Sequence, residues 1–109
     1  MIPANSYEDE LSKLADALAH PARVRLVRTL IAQGPSTAGA LHKRLPLAQA
    51  TVSQHLSKLR EAGVVTSSRR GREVVYQVAP QGVRRLATLV GGLAATLPTG
   101  LGAPVSSLR

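Results

Sequence analysis

Between Leu47 and Val65 the chain reads LAQATVSQHLSKLREAGVV. Val52, Leu56 and Leu59 recur at helical spacing, and Thr51, Gln54 and Lys58 recur on a different side of the same helix. The spacing predicts a helix with an apolar back and a polar front. Gly63 follows the last periodic residue and is placed to end the helix in a left-handed conformation, after which Val64 and Val65 open a strand. Two roles fit such a helix: an ordinary amphipathic surface helix, or one whose front enters a groove of DNA.

The same patterning predicts the remaining elements. Ser6 is placed to cap a first helix whose opening turn holds Glu8, Asp9 and Glu10, where the helix dipole favours negative charge. Its apolar stripe is Leu11, Leu14, Ala15 and Leu18. Pro21 begins a second helix, with Leu26, Val27, Leu30 and Ile31 spaced for burial, and Gly34-Pro35 closes it. A short third helix, capped by Ser36 or Thr37, contains Leu41 and Leu45 and ends at Pro46. Two helices joined by a tight turn, the second with a polar outer face, outline a helix-turn-helix.

From Val64 the period changes to two, and VVTSSRRGREVVYQVA reads as two strands around Arg69-Arg70-Gly71-Arg72. Pro80 ends the second strand, and a last helix spans Gln81 to Leu97, with Val83, Leu86, Leu89, Val90, Leu93 and Leu97 apolar. That is more apolar surface than a small monomer exposes, so this helix reads as a dimer interface. Gly91-Gly92 within it fits either a close approach of a partner helix or a bend. The segment PTGLGAPVSSLR, residues 98–109, reads as a flexible tail following a single domain, residues 1–97.

Composition narrows the partners. The formal charge is +8, unevenly spread: residues 1–19 hold four acids against Lys13, and the rest holds thirteen bases against Glu61 and Glu73. A basic body suits a polyanion, although eleven of the fourteen bases are Arg, a bias that a GC-rich genome also produces. Phe and Trp are absent, which argues against base stacking on single strands. Without Cys there is no disulfide, thiolate metal site or redox thiol. The acidic N-terminus lacks a secretory pattern, and the apolar run Leu86–Leu97 is too short for a bilayer, so no membrane association and a cytoplasmic location are expected. Three arginines beside a glycine at a hairpin tip suit phosphate contact or the minor groove, as against a solvated charged turn.

The segments LADALAHPARVRLVRTL (14–30), AQATVSQHLSKLREAGVV (48–65) and GREVVYQV (71–78), with their flanking helices, resemble the ArsR/SmtB family of bacterial winged-helix repressors. The resemblance covers nearly all of residues 8–97. It implies a mainly α fold with a β-hairpin wing, in the order α-α-α-α-β-β-α. It further implies a homodimer through the first and last helices, here Leu11, Leu14, Leu18, Leu86, Leu89, Val90 and Leu93, on a palindromic double-stranded operator. Base reading then falls to Gln49, Thr51, Ser53, Gln54 and His55, with Lys58, Arg69, Arg70 and Arg72 on the backbone or in the minor groove. Gln pairs bidentately with adenine, and Ser or Thr with several base edges, so the chemistry agrees with the position. Ala50 stands where many relatives carry a hydroxyl, and His55 is equally suited to packing.

The family's usual sensing sites are missing. Cysteines of the third helix are replaced by a segment with His42 alone, and the last helix has none of the Asp, His and Glu pairs of the second metal site. A non-standard nickel or zinc site would have to draw on His20, His42, Glu8, Asp9, Glu10 and Asp16 across a dimer. The expected signal is therefore a separate sensor protein, a small molecule or such a weakly bound metal. A protein-interaction module with weak, non-specific DNA binding is the alternative. An enzyme is not expected, since the three histidines lie on separate segments and no nucleophile elbow or phosphate loop occurs.

Overall fold

In the computed structural model, which describes residues 6–102, the order is α1 (Tyr7–Ala17), α2 (Pro21–Gln33), β1 (Ser36–Thr37), α3 (Ala38–His42), α4 (Gln49–Glu61), β2 (Val65–Arg70), β3 (Glu73–Val78) and α5 (Pro80–Ala95). The expected mainly α architecture with a hairpin wing is present. Ser6 caps α1, its Oγ accepting from the Asp9 N–H at 3.1 Å. Leu14 and Ala17 are the buried residues of α1, flanked by half-buried Leu11 and Leu18. Ala15, placed in the stripe by sequence, is exposed: the helix meets the core along the Leu14–Ala17 row, one residue-step round from Ala15.

Pro21 occupies the first turn of α2, and Gly34 ends it at φ +79°. Leu26, Val27 and Leu30 are buried as expected, but Ile31 is 65% exposed, because α4 and β3 cover the Leu26–Leu30 side and stop short of it. The two-residue strand β1 was not legible in sequence. It pairs antiparallel with β3, Ser36 opposite Tyr76 and Thr37 opposite Val75, so β3 is central in the order β1-β3-β2. Thr37 serves twice, since its Oγ1 also accepts from the Ala40 N–H at 3.1 Å and caps α3. That helix ends at His42, earlier than expected. Leu45 lies in the following turn, where the Arg44 and Leu45 N–H groups bond the Leu41 and His42 carbonyls, and it is still buried.

Val52, Leu56 and Leu59 form the fully buried back of α4. Gly63, at φ +85°, donates to the Arg60 carbonyl at 3.0 Å and Val64 to that of Leu59 at 2.9 Å, the paired bonds of a Schellman stop. The chain leaves directly into β2, whose register with β3 runs from Val65 opposite Val78 to Arg70 opposite Glu73. Gly71, at φ +64°, takes the first of the two loop positions, where a two-residue hairpin demands positive φ.

Pro80 lies inside α5, at its first turn, and does more than end the strand. Gly82 is buried against the turn after α4, where a Cβ would fall 2.0 Å from the Gly63 carbonyl oxygen. The core joins Leu14, Leu26, Leu30, Leu41, Val52, Leu56, Leu59, Val64, Val65 and Leu89, with Tyr76, Val78, Val83 and Leu86 at its edge. Full burial of each such Leu contributes about 1.5–3 kcal/mol, so aliphatic packing takes the place of the absent Phe and Trp. Leu14 and Leu89, expected at a dimer interface, are consumed by this core at 5% and 3% exposure. Helix α5 runs unbroken through Gly91 and Gly92, and Gly92 lies against the Tyr7 ring. Past it, Pro98 to Gly102 form turns, and the rest of the expected tail, residues 103–109, lies outside the described residues.

Candidate nucleic-acid interface

With Val52, Leu56 and Leu59 turned into the core, the periodicity of α4 places Gln54 nearly opposite the buried stripe. Gln49, Gln54 and Lys58 are exposed, and Thr51, Ser53 and His55 half-buried. Ala50 is exposed beside Gln54 and offers neither donor nor acceptor. Ser57, one turn beyond Gln54 and half-buried, has a hydroxyl on the same outer side that sequence reading passed over. Lys58 lies 3.6 Å from Glu61 at 61% side-chain exposure, a pairing that solvent screens.

Arg69 and Arg70 end β2 and Arg72 sits in the turn, all exposed. Among the described residues none of the three takes part in an ion pair. Their charge is available to a polyanion. The hairpin is tied to α4 by Arg60, whose Nη1 donates to Ser67 Oγ at 3.2 Å, a link between helix and wing that no sequence pattern announced.

His55 lies on the flank of α4, between the polar front and the buried stripe. Its Nδ1 accepts from Arg23 Nε at 3.1 Å, and its ring stands 6.1 Å from that of His20, centroid to centroid. Burial, then the Arg23 charge, then His20 hold its pKa below the ordinary histidine value. Helices α1 and α5 pack together, joined by a two-pronged ion pair in which Arg85 Nε and Nη2 reach the Glu10 carboxylate at 2.7 Å each. That contact holds the Glu10 pKa below the usual carboxylate range and raises that of Arg85. Tyr7 donates its hydroxyl to the Leu89 carbonyl. Beside these contacts Val90, Leu93 and Leu97 remain about half exposed or more.

Within one chain the residues weighed for nickel or zinc are not gathered into one group. Glu10 is engaged by Arg85, Asp9 lies 3.4 Å from Lys13, and His42 Nδ1 bonds the Leu47 carbonyl at 2.6 Å. Among the described residues of one chain no three His, Cys, Asp or Glu are grouped. Two open grooves, of about 940 Å³ along α2 and about 600 Å³ between α1 and the start of α5, place no histidine beside a carboxylate. No described helix is long and apolar enough to cross a membrane.

Comparison with known proteins bears on the same segments. A family model described as "Helix-turn-helix domain" matches residues 18–68. The chain is 43% identical over 77 residues, 71% of its length and 65% of the relative's, to the biofilm growth-associated repressor of Agrobacterium fabrum. It is 36% identical over 85 residues, 78% of its length and 71% of the relative's, to the HTH-type transcriptional regulator CmtR of Mycobacterium tuberculosis. Thus it spans less than two thirds of the first of these proteins. Among solved structures, an ArsR-like transcriptional regulator from Rhodococcus sp. RHA1 superposes with a TM-score of 0.73 at 26% identity, over 81% of this chain and 82% of that one. The homodimeric winged helix-turn-helix domain Mb0332 of Mycobacterium bovis, described as a possible ArsR-family regulator, gives 0.65 at 30% identity and 81% of each chain.

Proposed function

Since the chain belongs to the ArsR family of winged helix-turn-helix transcriptional regulators, we propose that it binds a palindromic operator as a homodimer and represses transcription from the promoter it covers. The observation that carries this reading is α4 itself: its back is fully buried, its front presents uncharged donors and acceptors, and a hairpin tip with three exposed arginines follows it. Gln49, Thr51, Ser53 and Gln54 read base edges in the major groove, where amide and hydroxyl groups match the donor and acceptor pattern. Lys58, Arg69, Arg70 and Arg72 hold phosphates or enter the minor groove and supply the salt-dependent part of the affinity.

The dimer forms through α1 and α5. Leu11, Leu18, Leu86, Val90 and Leu93 meet the partner, whereas Leu14 and Leu89 support that surface from beneath. The homodimer of the Mycobacterium bovis relative supports this assembly. The signal comes from a sensor protein or small molecule, and a nickel or zinc site would require ligands from both subunits.

Binding of the purified chain to its own upstream DNA, against scrambled DNA at fixed salt with and without nickel or zinc, tests the proposal. Preference for the upstream DNA is expected. Equal binding to both would favour an interaction module that docks another protein through α5.

A further inference from the structure

Arg23, in the first turn of α2, was assigned no role by sequence pattern, yet it joins three elements. Its Nε donates to His55 Nδ1 on α4 at 3.1 Å, and its Nη1 reaches the Ala17 carbonyl at the end of α1 at 3.5 Å. A guanidinium is always protonated and has only donors. His55 Nδ1 must therefore accept, which places the ring's single proton on Nε2. Among the described residues His55 makes no second hydrogen bond, and no buried side-chain nitrogen or oxygen lacks a partner, so Nε2 reaches solvent. It does so one turn from Thr51 and from Lys58, along the edge of the polar front.

We propose that Arg23 is a positioning residue for DNA recognition: it locks His55 in the Nε2–H tautomer and so presents that N–H as a donor to an acceptor on the DNA. The acceptor is a base-edge atom or a phosphate oxygen. This rests on the reading of α4 as the DNA-contacting helix. Protonation of His55 would set an Nδ1–H against the Arg23 N–H and abolish the lock. The charged or titratable groups acting on the ring are Arg23 and His20, from α2 and the residue before it; on α4 itself Lys58 is turned toward Glu61.

The test combines nitrogen NMR of the imidazoles of the free chain with DNA binding. The Nε2–H tautomer is expected in the wild type, mixed tautomers and a higher titration midpoint in Arg23→Met, and restoration in Arg23→Lys, whose ammonium can also donate. Affinity for the upstream DNA should fall about ten-fold in Arg23→Met. In a His55→Ala background the same substitution should cost nothing further. A uniform loss across operator variants assigns the acceptor to phosphate, and a loss confined to one base pair assigns it to that base; both support the proposal. An Nδ1–H tautomer in the wild type, or an equal cost of Arg23→Met with and without His55, overturns it. A wild type with the expected tautomer but no preference for upstream DNA overturns the reading of α4, and the proposal with it.

Discussion

Gln54 and Arg70 separate the two kinds of contact that a DNA-binding surface makes. Gln54 stands nearly opposite the buried stripe, which under the proposed docking makes it the first residue of α4 to meet a base edge. Gln54→Ala is expected to lower discrimination between the operator and a mutated operator by about 1–3 kcal/mol, read by titration of both DNAs. Unchanged discrimination would mean that the register of α4 in the groove differs. Arg70→Ala should instead weaken binding to every sequence and reduce the slope of log affinity against log salt by about two per dimer, one for each subunit. At this scale the polar front of α4 was legible, because a 3.6-residue period sorts side chains into faces. His55 was not resolved by that sorting, since it lies on the boundary and its partner Arg23 is 32 residues away.

Helices and strands here are placed by their ends as much as by their faces. Ser6, Thr37, Gly34 and Gly63 do what their residue types predict, because caps and left-handed stops depend on a few adjacent residues. The docking of α5 depends on Gly82, and nothing local announced it. A Cβ at that position would meet the Gly63 backbone, which cannot swing aside as a side chain does. Gly82→Ala should therefore cost roughly 1–3 kcal/mol, as overpacking does, and lower the midpoint of thermal or urea unfolding. The cost should exceed that of Gly91→Ala, where the added methyl meets open space and helix propensity improves. An equal effect of the two substitutions would show that α5 slides freely over the turn after α4. Strand β1 escaped the sequence for a related reason: two residues carry no period, and the pairing exists because β3 offers a free edge.

For the whole molecule, the Glu10–Arg85 and Tyr7–Leu89 links join α1 to α5, and Val90, Leu93 and Leu97 beside them are exposed. Leu93→Glu is expected to convert a dimer into a monomer in light scattering, without loss of helix content, and to reduce operator affinity because two half-sites are no longer held together. A dimer that survives this substitution would place the interface elsewhere. Order, type and ends of most elements followed from the sequence alone, as did the polar front of α4 and the arginine-rich tip, since period, capping and charge are local properties. Only the tertiary structure decided that Leu14 and Leu89 belong to the subunit's own core while Ile31 and Ala15 stay outside, that Gly82 seats α5 on the turn after α4, and that Arg23 meets His55. Each of these depends on which surfaces meet across long stretches of chain, and no single helix or strand carries that information in its own pattern.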